Sequence, residues 1–130
     1  HKLHIIHDGI DTNFFKPGNK DLTSLNLDIP EDAPIVTYAT RGMEPYRGFP
    51  QFIESLPYIL KENKKCHIII AGEDRVCYGS PRKDGKTWKT FMLEKVQLDS
   101  TRVHFVGSLP YGKYLKLLQA SDVHVYLTRP

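Results

Sequence analysis

The apolar residues of the chain recur with two alternating periods. From Phe49 to Leu60 they fall mostly three or four positions apart, which places them on one face of an amphipathic helix. The same spacing predicts a second helix over Thr87–Leu98 and a third from Tyr111 to Leu118. Nearly continuous apolar runs lie between the helices, as in strands that are buried on both faces of a parallel sheet. The predicted strands are Leu3–Gly9, Ile35–Thr40, Cys66–Gly72, Arg102–Gly107 and Asp122–Thr128.

Strands that alternate with helices form βαβ units, whose right-handed crossovers build a doubly wound sheet. The predicted fold class is therefore α/β, with a Rossmann-like doubly wound parallel sheet. The segment Asp11–Pro34 is rich in Pro, Gly, Asn and Asp, and it predicts a long connection. Ligands of such sheets bind beyond the carboxyl ends of the strands. Candidate site residues are thus expected in the loops that begin at Arg41, Gly72 and Gly107.

The composition is that of a globular domain, because apolar residues make up 40 % of the chain and charged residues 25 %. The net charge of +3 is too small to imply a nucleic-acid partner. The sequence has neither an apolar run long enough to span a membrane nor a signal-peptide pattern. Cys66 and Cys77 lack the spacing of a zinc site and are expected to be reduced thiols. Together these features predict a cytoplasmic protein.

Two arginines flank the loop that follows the strand Ile35–Thr40. Arg41 comes directly after the strand, and Arg47 lies six positions later, just before Gly48 and the first helix. The loop is expected to bring both guanidinium groups and the free N–H groups of the helix start to one place. Such donors bind phosphate oxygens, and a diphosphate is the natural ligand. Gly42 and Gly48 would permit tight backbone paths and a close approach of the ligand.

The spacing of these arginines leaves a second interpretation open, in which both lie on a solvated surface loop. The loop matches neither GxxxxGK[ST] nor GxGxxG, which weakens a P-loop or dinucleotide-binding interpretation. Arg75 follows two carboxylates beyond a strand, and it either neutralises them or adds a phosphate or sugar contact. No metal site is predicted, because the strand histidines His67, His104 and His124 are expected to be structural.

Four segments, in this order, resemble the carboxyl-terminal domain of a GT-B glycosyltransferase. They are HDGIDTNFFKP (His7–Pro17), ATRGMEPYRGF (Ala39–Phe49), IIIAGED (Ile68–Asp74) and VHFVGSLPYGKYLKLLQASDVHVYLTRP (Val103–Pro130). The chain looks most like the retaining group 1 family, also called family 4, which includes glycogen synthases and many bacterial sugar transferases. The resemblance covers nearly the whole chain. It implies that residues 1–130 are a partial nucleotide-sugar-binding domain, one truncated half of a GT-B fold.

The resemblance implies roles for individual residues. In this family an Arg at a strand end and a Lys six residues later hold the diphosphate of a nucleoside diphosphate sugar. Arg41 matches that Arg, and Arg47 stands where Lys is usual. Gly72 matches the strand-end glycine that faces the nucleotide. The loop whose backbone holds the base matches Val106, Gly107 and Ser108.

The resemblance also implies parts outside this chain. The family has two glutamates with seven residues between them after its last strand, so catalytic residues are expected beyond Pro130. An amino-terminal domain would hold the acceptor, a saccharide or lipid, and would allow contact with a membrane surface. The implied reaction is transfer of a sugar from a nucleoside diphosphate sugar to an acceptor hydroxyl, with retention, without a metal or cofactor. The fragment alone is expected to be inactive.

An interpretation from a different class stays open at this point. A doubly wound sheet can also serve as a non-catalytic nucleotide-binding or protein-interaction module with a flavodoxin-like sheet. Such a module needs no catalytic glutamates and no second domain. A Glu-x7-Glu pair within about 20 residues after Pro130, and an upstream domain of about 200 residues, would favour the transferase.

Overall fold

The computed structural model describes residues 3–4 and 9–129. Within these ranges the chain alternates strands and helices in the predicted order. The elements are β1 (Ile35–Gly42), α1 (Phe49–Glu62), β2 (His67–Glu73), α2 (Trp88–Lys95), β3 (Val103–Gly107), α3 (Tyr111–Ala120) and β4 (Val123–Val125), with 3-10 turns at Thr23–Leu25 and Pro45–Arg47.

The described strands form one parallel sheet in the order β3-β2-β1-β4. The chain moves outward from β1 through β2 to β3, and α3 then returns it to the other side of β1. This reversal of direction makes the boundary between β1 and β4 a topological switch point of a doubly wound sheet. The predicted fold class, an α/β fold with a Rossmann-like parallel sheet, is confirmed.

Apolar side chains cover both faces of the sheet. On one face Tyr38 and Ile70 belong to a buried core with the inner side chains of α1 and α2. On the other face Ile35 and Ile69 pack with Leu117 of α3 and with the connection that precedes β1. Because successive side chains of a strand point to opposite faces, a strand buried on both sides is apolar at nearly every position. This arrangement explains the continuous apolar runs in the sequence.

The last strand is shorter than predicted, because β4 ends at Val125 and not at Thr128. Beyond Val125 the backbone leaves the sheet and approaches the turn Pro45–Arg47. There the Arg129 N–H donates a hydrogen bond of 2.9 Å to the Tyr46 carbonyl. The segment after β4 is thus attached to the loop that carries the second arginine, and this attachment shapes the site described below.

Two further predictions concern the first strand and the second helix, and a third concerns membrane-spanning segments. The predicted strand Leu3–Gly9 lies largely outside the described residues. The second helix is shorter than the predicted Thr87–Leu98, and Thr87 caps it by accepting a hydrogen bond of 3.1 Å from the Thr90 N–H. In the described part of the chain, no helix combines the length and the apolar character needed to cross a bilayer.

Candidate functional site

A pocket of about 340 Å³ opens at the carboxyl edge of the sheet. Its walls come from the ends of β1, β2 and β4, the loop after β3, and α3. Four of the predicted site residues line this pocket together: Arg41, Arg47, Gly72 and Ser108. The pocket lies at the switch between β1 and β4, where doubly wound sheets bind their ligands, and its volume suits a small molecule.

Arg41 lies in an irregular stretch of β1. The register of β1 against β2 shifts between Ala39 and Gly42. An irregularity of this kind redirects a side chain at the end of a strand. Arg41 is exposed and lines the pocket. Among the described residues, no carboxylate forms an ion pair with it. Its positive charge is therefore available to an anion in the pocket.

Arg47 is oriented by contacts at several of its atoms. The Tyr38 hydroxyl donates a hydrogen bond of 2.9 Å to the Arg47 carbonyl, which fastens the turn to β1. The guanidinium group donates to Thr128 Oγ1 at 3.2 Å and lies over the Tyr78 ring, 4.8 Å from its centroid. The Glu44 carboxylate lies 3.9 Å from Arg47 Nε. These contacts hold a second cation beside the pocket.

The start of α1 offers fewer free N–H groups to the site than the sequence predicts. The Gly48 N–H donates to the Pro45 carbonyl at 2.9 Å, and the Phe49 N–H donates to the Glu44 carbonyl at 3.3 Å. Pro50 has no N–H group. A 3-10 turn, which the sequence analysis did not predict, leads into α1 and uses these donors. Among the described residues that line the pocket, the two guanidinium groups of Arg41 and Arg47 are the positive charges available to an anion.

The predicted glycines serve close packing around the pocket. Gly48 has φ 70°, and a Cβ at this position would collide with the side chain of Leu127. Gly72 has φ 138°, and a Cβ there would collide with the Thr40 carbonyl. Both backbone conformations favour glycine. A Cβ at Gly42 would lie 2.6 Å from a carbonyl oxygen of the loop that follows β2. These positions allow neighbouring loops to meet at the carboxyl edge.

The other predicted residues lie around this pocket with less direct access to it. Ser108 lines the pocket, whereas Gly107 is exposed with φ 68° and the Val106 side chain packs against the core on the α3 face. Arg75 pairs with the Glu73 carboxylate and is not part of the pocket lining. Of the two roles considered for Arg75, its placement matches neutralisation of a neighbouring carboxylate.

Three tyrosines that the sequence analysis did not identify as site residues line the pocket. Tyr38, Tyr114 and Tyr126 all contribute to its walls. Burial raises the pKa of the hydroxyl of Tyr38, and it raises that of Tyr114 as well. Both hydroxyls therefore keep their protons at neutral pH and are hydrogen-bond donors. Tyr38 could have been identified as a pocket residue from the sequence, because it lies near the carboxyl end of the predicted strand Ile35–Thr40.

Glu44 is another residue near the site that the sequence analysis did not identify. Its side chain is completely buried, and one carboxylate oxygen accepts hydrogen bonds from the backbone N–H groups of Cys77 and Tyr78. A charged residue between Met43 and Pro45 gives no sequence signal of burial, because glutamate is usually exposed. Its partners lie more than thirty positions away along the chain, as only the folded structure makes evident.

Two strand histidines form a pair far from the pocket. His67 Nδ1 and His104 Nε2 are 3.0 Å apart, and the rings stack with 5.3 Å between centroids. His67 is the first residue of β2, so the pair lies toward the amino ends of the strands. Burial lowers the pKa of both imidazoles. Within residues 3–4 and 9–129, no group of three or more His, Cys, Asp or Glu side chains could hold a metal ion.

Comparison with known proteins finds similarity among solved structures. No protein-family model matches the chain, and no curated protein matches it. Among solved structures, the chain is similar to the C-terminal domain of the glycosyl transferase group 1 family protein LpcC from Francisella tularensis, with a TM-score of 0.67 and 21 % sequence identity. The likeness covers 92 % of this chain and 59 % of that one. The chain therefore has the fold of the carboxyl-terminal domain of a group 1 glycosyl transferase.

Proposed function

We propose that this chain is the nucleotide-sugar-binding part of a retaining group 1 glycosyltransferase with a GT-B fold. The observation that carries the proposal is the joint placement of Arg41 and Arg47 in one pocket at the switch point of the sheet. The likeness to the C-terminal domain of a group 1 glycosyl transferase supports it at the level of the fold. The four sequence segments that resemble the family support it independently.

The two arginines would bind the diphosphate of the donor. Arg41 contributes an exposed guanidinium group, and Arg47 contributes one that is already oriented by Thr128 and Tyr78. Guanidinium groups bind phosphate oxygens through paired, charge-assisted hydrogen bonds. A diphosphate presents enough oxygens to engage both arginines at once. A single phosphate or a neutral ligand would use this arrangement less completely.

The same two charges would assist the reaction. When the bond between the anomeric carbon and the β-phosphate oxygen breaks, the departing nucleoside diphosphate takes the electron pair and gains negative charge. The oxygen of the acceptor hydroxyl forms the new bond to the anomeric carbon, and its proton passes to the departing diphosphate. Fixed cations beside the leaving group stabilise that charge in the transition state, and they need no reorganisation to do so. Arg41 and Arg47 supply these charges without a metal ion.

The remaining site residues would receive the nucleoside. Gly72 and Ser108 line the pocket on the side of β2 and β3, whereas Arg47 lies in the turn before α1. The backbone of Val106, Gly107 and Ser108 is proposed to face the base, and Gly42 and Gly48 are proposed to let the loop approach the diphosphate. The acceptor, its hydroxyl and the catalytic glutamates would be held by parts of the enzyme outside this chain.

Sugar transfer by the full-length protein tests the proposal. The protein is incubated with uridine, guanosine and adenosine diphosphate sugars and a panel of saccharide and lipid acceptors, and release of nucleoside diphosphate is measured. We expect release with at least one donor, and NMR of the product to show retained anomeric configuration. Binding of a nucleoside diphosphate without transfer to any acceptor would favour the non-catalytic nucleotide-binding module.

A further inference from the structure

The side chain of Glu44 is completely buried between two loops at the site, with an exposed fraction of 0 %. A buried carboxylate is costly unless hydrogen bonds and opposite charges compensate it. Its Oε2 atom accepts hydrogen bonds from the backbone N–H groups of Cys77, at 2.5 Å, and of Tyr78, at 2.7 Å. This oxygen therefore fastens the loop after β2 to the loop after β1.

The second oxygen of Glu44 is directed at an arginine of the proposed diphosphate site. Glu44 Oε1 lies 3.9 Å from Arg47 Nε, and both atoms are buried. Within the described residues, neither atom has a hydrogen-bond partner. A buried donor and a buried acceptor left unpaired both cost free energy, so their approach is favourable. A movement of about 1 Å would bring them to hydrogen-bond distance.

Glu44 also holds Tyr78, whose ring packs against the same guanidinium group. The N–H of Tyr78 is held by Glu44 Oε2, and the ring of Tyr78 lies under the Arg47 guanidinium, 4.8 Å from centroid to Cζ. The terminal nitrogen Nη1 of Arg47 donates to Thr128 Oγ1. With Nε beside Glu44 and Nη1 bonded to Thr128, Nη2 is the terminal nitrogen left for the pocket among the described contacts of Arg47. Lysine has no donor equivalent to Nε, so this arrangement uses a feature specific to arginine.

We propose that Glu44 is a positioning residue, which aligns Arg47 for the diphosphate. The Arg47 guanidinium is already held by Thr128 and Tyr78, and diphosphate binding shifts it by about 1 Å, so that the hydrogen bond from Nε to Glu44 Oε1 closes. Glu44 touches no substrate in this arrangement and acts through Arg47. The inference rests on the proposed function, because it assumes that Arg47 binds the diphosphate.

A double-variant cycle in the full-length protein tests the inference. Glu44→Gln, Arg47→Ala and the double variant are compared with the parent by calorimetric titration with uridine, guanosine and adenosine diphosphate. Gln keeps an oxygen for the N–H groups of Cys77 and Tyr78, but it replaces the oxygen facing Arg47 with an amide N–H₂ group. We expect Glu44→Gln to weaken binding about tenfold and to have no further effect once Arg47 is Ala. Glu62→Gln, an exposed carboxylate in α1, is the matched control and is expected to bind as the parent does.

The outcomes distinguish failure of the positioning role of Glu44 from failure of the proposed diphosphate site. An equal effect of Glu44→Gln with and without Arg47, or no effect in either background, would overturn the positioning role and leave the proposed function in place. Unchanged binding by Arg47→Ala would remove the proposed diphosphate site itself, and the positioning role with it. Circular dichroism of each variant establishes that its fold is retained before the affinities are compared.

A second measurement decides the question if Glu44→Gln does not fold. The Nε–H signal of Arg47 in the parent protein is followed by nitrogen-15 NMR while the nucleoside diphosphate is added. We expect this proton to exchange with water at least tenfold more slowly in the complex than in the free protein, since the buried Oε1 of Glu44 then accepts it. An exchange rate that stays the same in the complex would overturn the proposed closure.

Discussion

The hydroxyl of Tyr38, on β1, donates a hydrogen bond of 2.9 Å to the backbone carbonyl of Arg47 in the turn before α1. The ring of Tyr38 stacks on Phe52 of α1, with 4.7 Å between the centroids. One residue thus anchors the second arginine of the site to the core of the domain. The position of the Arg47 guanidinium is thereby coupled to the packing of β1 against α1.

Substitution Tyr38→Phe is expected to lower the free energy of unfolding by about 1 kcal/mol, because the ring packing is kept and the Arg47 carbonyl loses its donor. Urea unfolding followed by circular dichroism measures this difference. Tyr58→Phe is the matched control, since the side chain of Tyr58 lies on the exposed side of α1, and we expect a change within about 0.5 kcal/mol. Equal stability of both variants would show that the Tyr38 hydroxyl does not fasten the turn.

The glycines Gly48 and Gly107 offer a second matched comparison. Their φ angles are nearly equal, 70° and 68°, so an L side chain adopts an unfavourable left-handed φ at both positions. A Cβ at Gly48 meets Leu127, whereas a Cβ at Gly107 meets no described atom within 4 Å. Gly107→Ala is expected to cost about 1 kcal/mol, and Gly48→Ala is expected to cost about 2–3 kcal/mol. Thermal and urea unfolding of both variants test the order, and a larger loss for Gly107→Ala contradicts it.

The histidine pair predicts a loss of stability in mild acid. Burial lowers the pKa of His67, with Arg102 acting in the same direction. It also lowers that of His104, where His67 adds to the effect. The unfolded chain takes up protons near the ordinary histidine pKa of 6.5, whereas the folded chain resists them. Folding therefore releases protons in this range, and the free energy of unfolding decreases as the pH falls below about 6.5.

Urea unfolding between pH 5 and pH 7.5 measures this dependence. The variant His104→Gln removes one titrating group, the imidazole whose pKa is lowered by burial and by His67. We expect a shallower decrease for this variant than for the parent. His124, whose pKa burial also lowers, accounts for part of the slope that remains. A parent protein whose stability is constant across this range would contradict the lowered pKa values of these histidines.

The order of the elements could be predicted from the sequence, because the spacing of apolar residues within each segment depends on that segment alone. It indicated the helix from Phe49 to Leu60 and the buried strand Cys66–Gly72 within one or two residues of the observed ends. It failed at the last strand, where the backbone after Val125 contacts the turn before α1 through Arg129 and Tyr46, a contact that local patterns do not encode. Strand ends depend on such distant contacts.

The sequence predicted the arginines of the candidate site but not the contacts that come from other loops. Arg41 and Arg47 could be placed near one another because each follows from the position of a strand end or a helix start. Glu44 could not be placed, since its burial depends on backbone groups of Cys77 and Tyr78 that come from another loop. The hydrogen bonds from the Gly48 and Phe49 N–H groups to the turn before α1 could not be predicted either. No residue in that turn distinguishes it from an irregular loop.

The most direct test of the account is the affinity of the full-length protein for uridine, guanosine and adenosine diphosphate, with and without Arg41. Lys64→Ala removes an exposed positive charge next to the amino end of β2, at the opposite edge of the sheet, and is the matched control. We expect at least one diphosphate to bind, Arg41→Ala to weaken that binding tenfold or more, and Lys64→Ala to leave it unchanged. Equal affinity of Arg41→Ala and the parent would contradict the account.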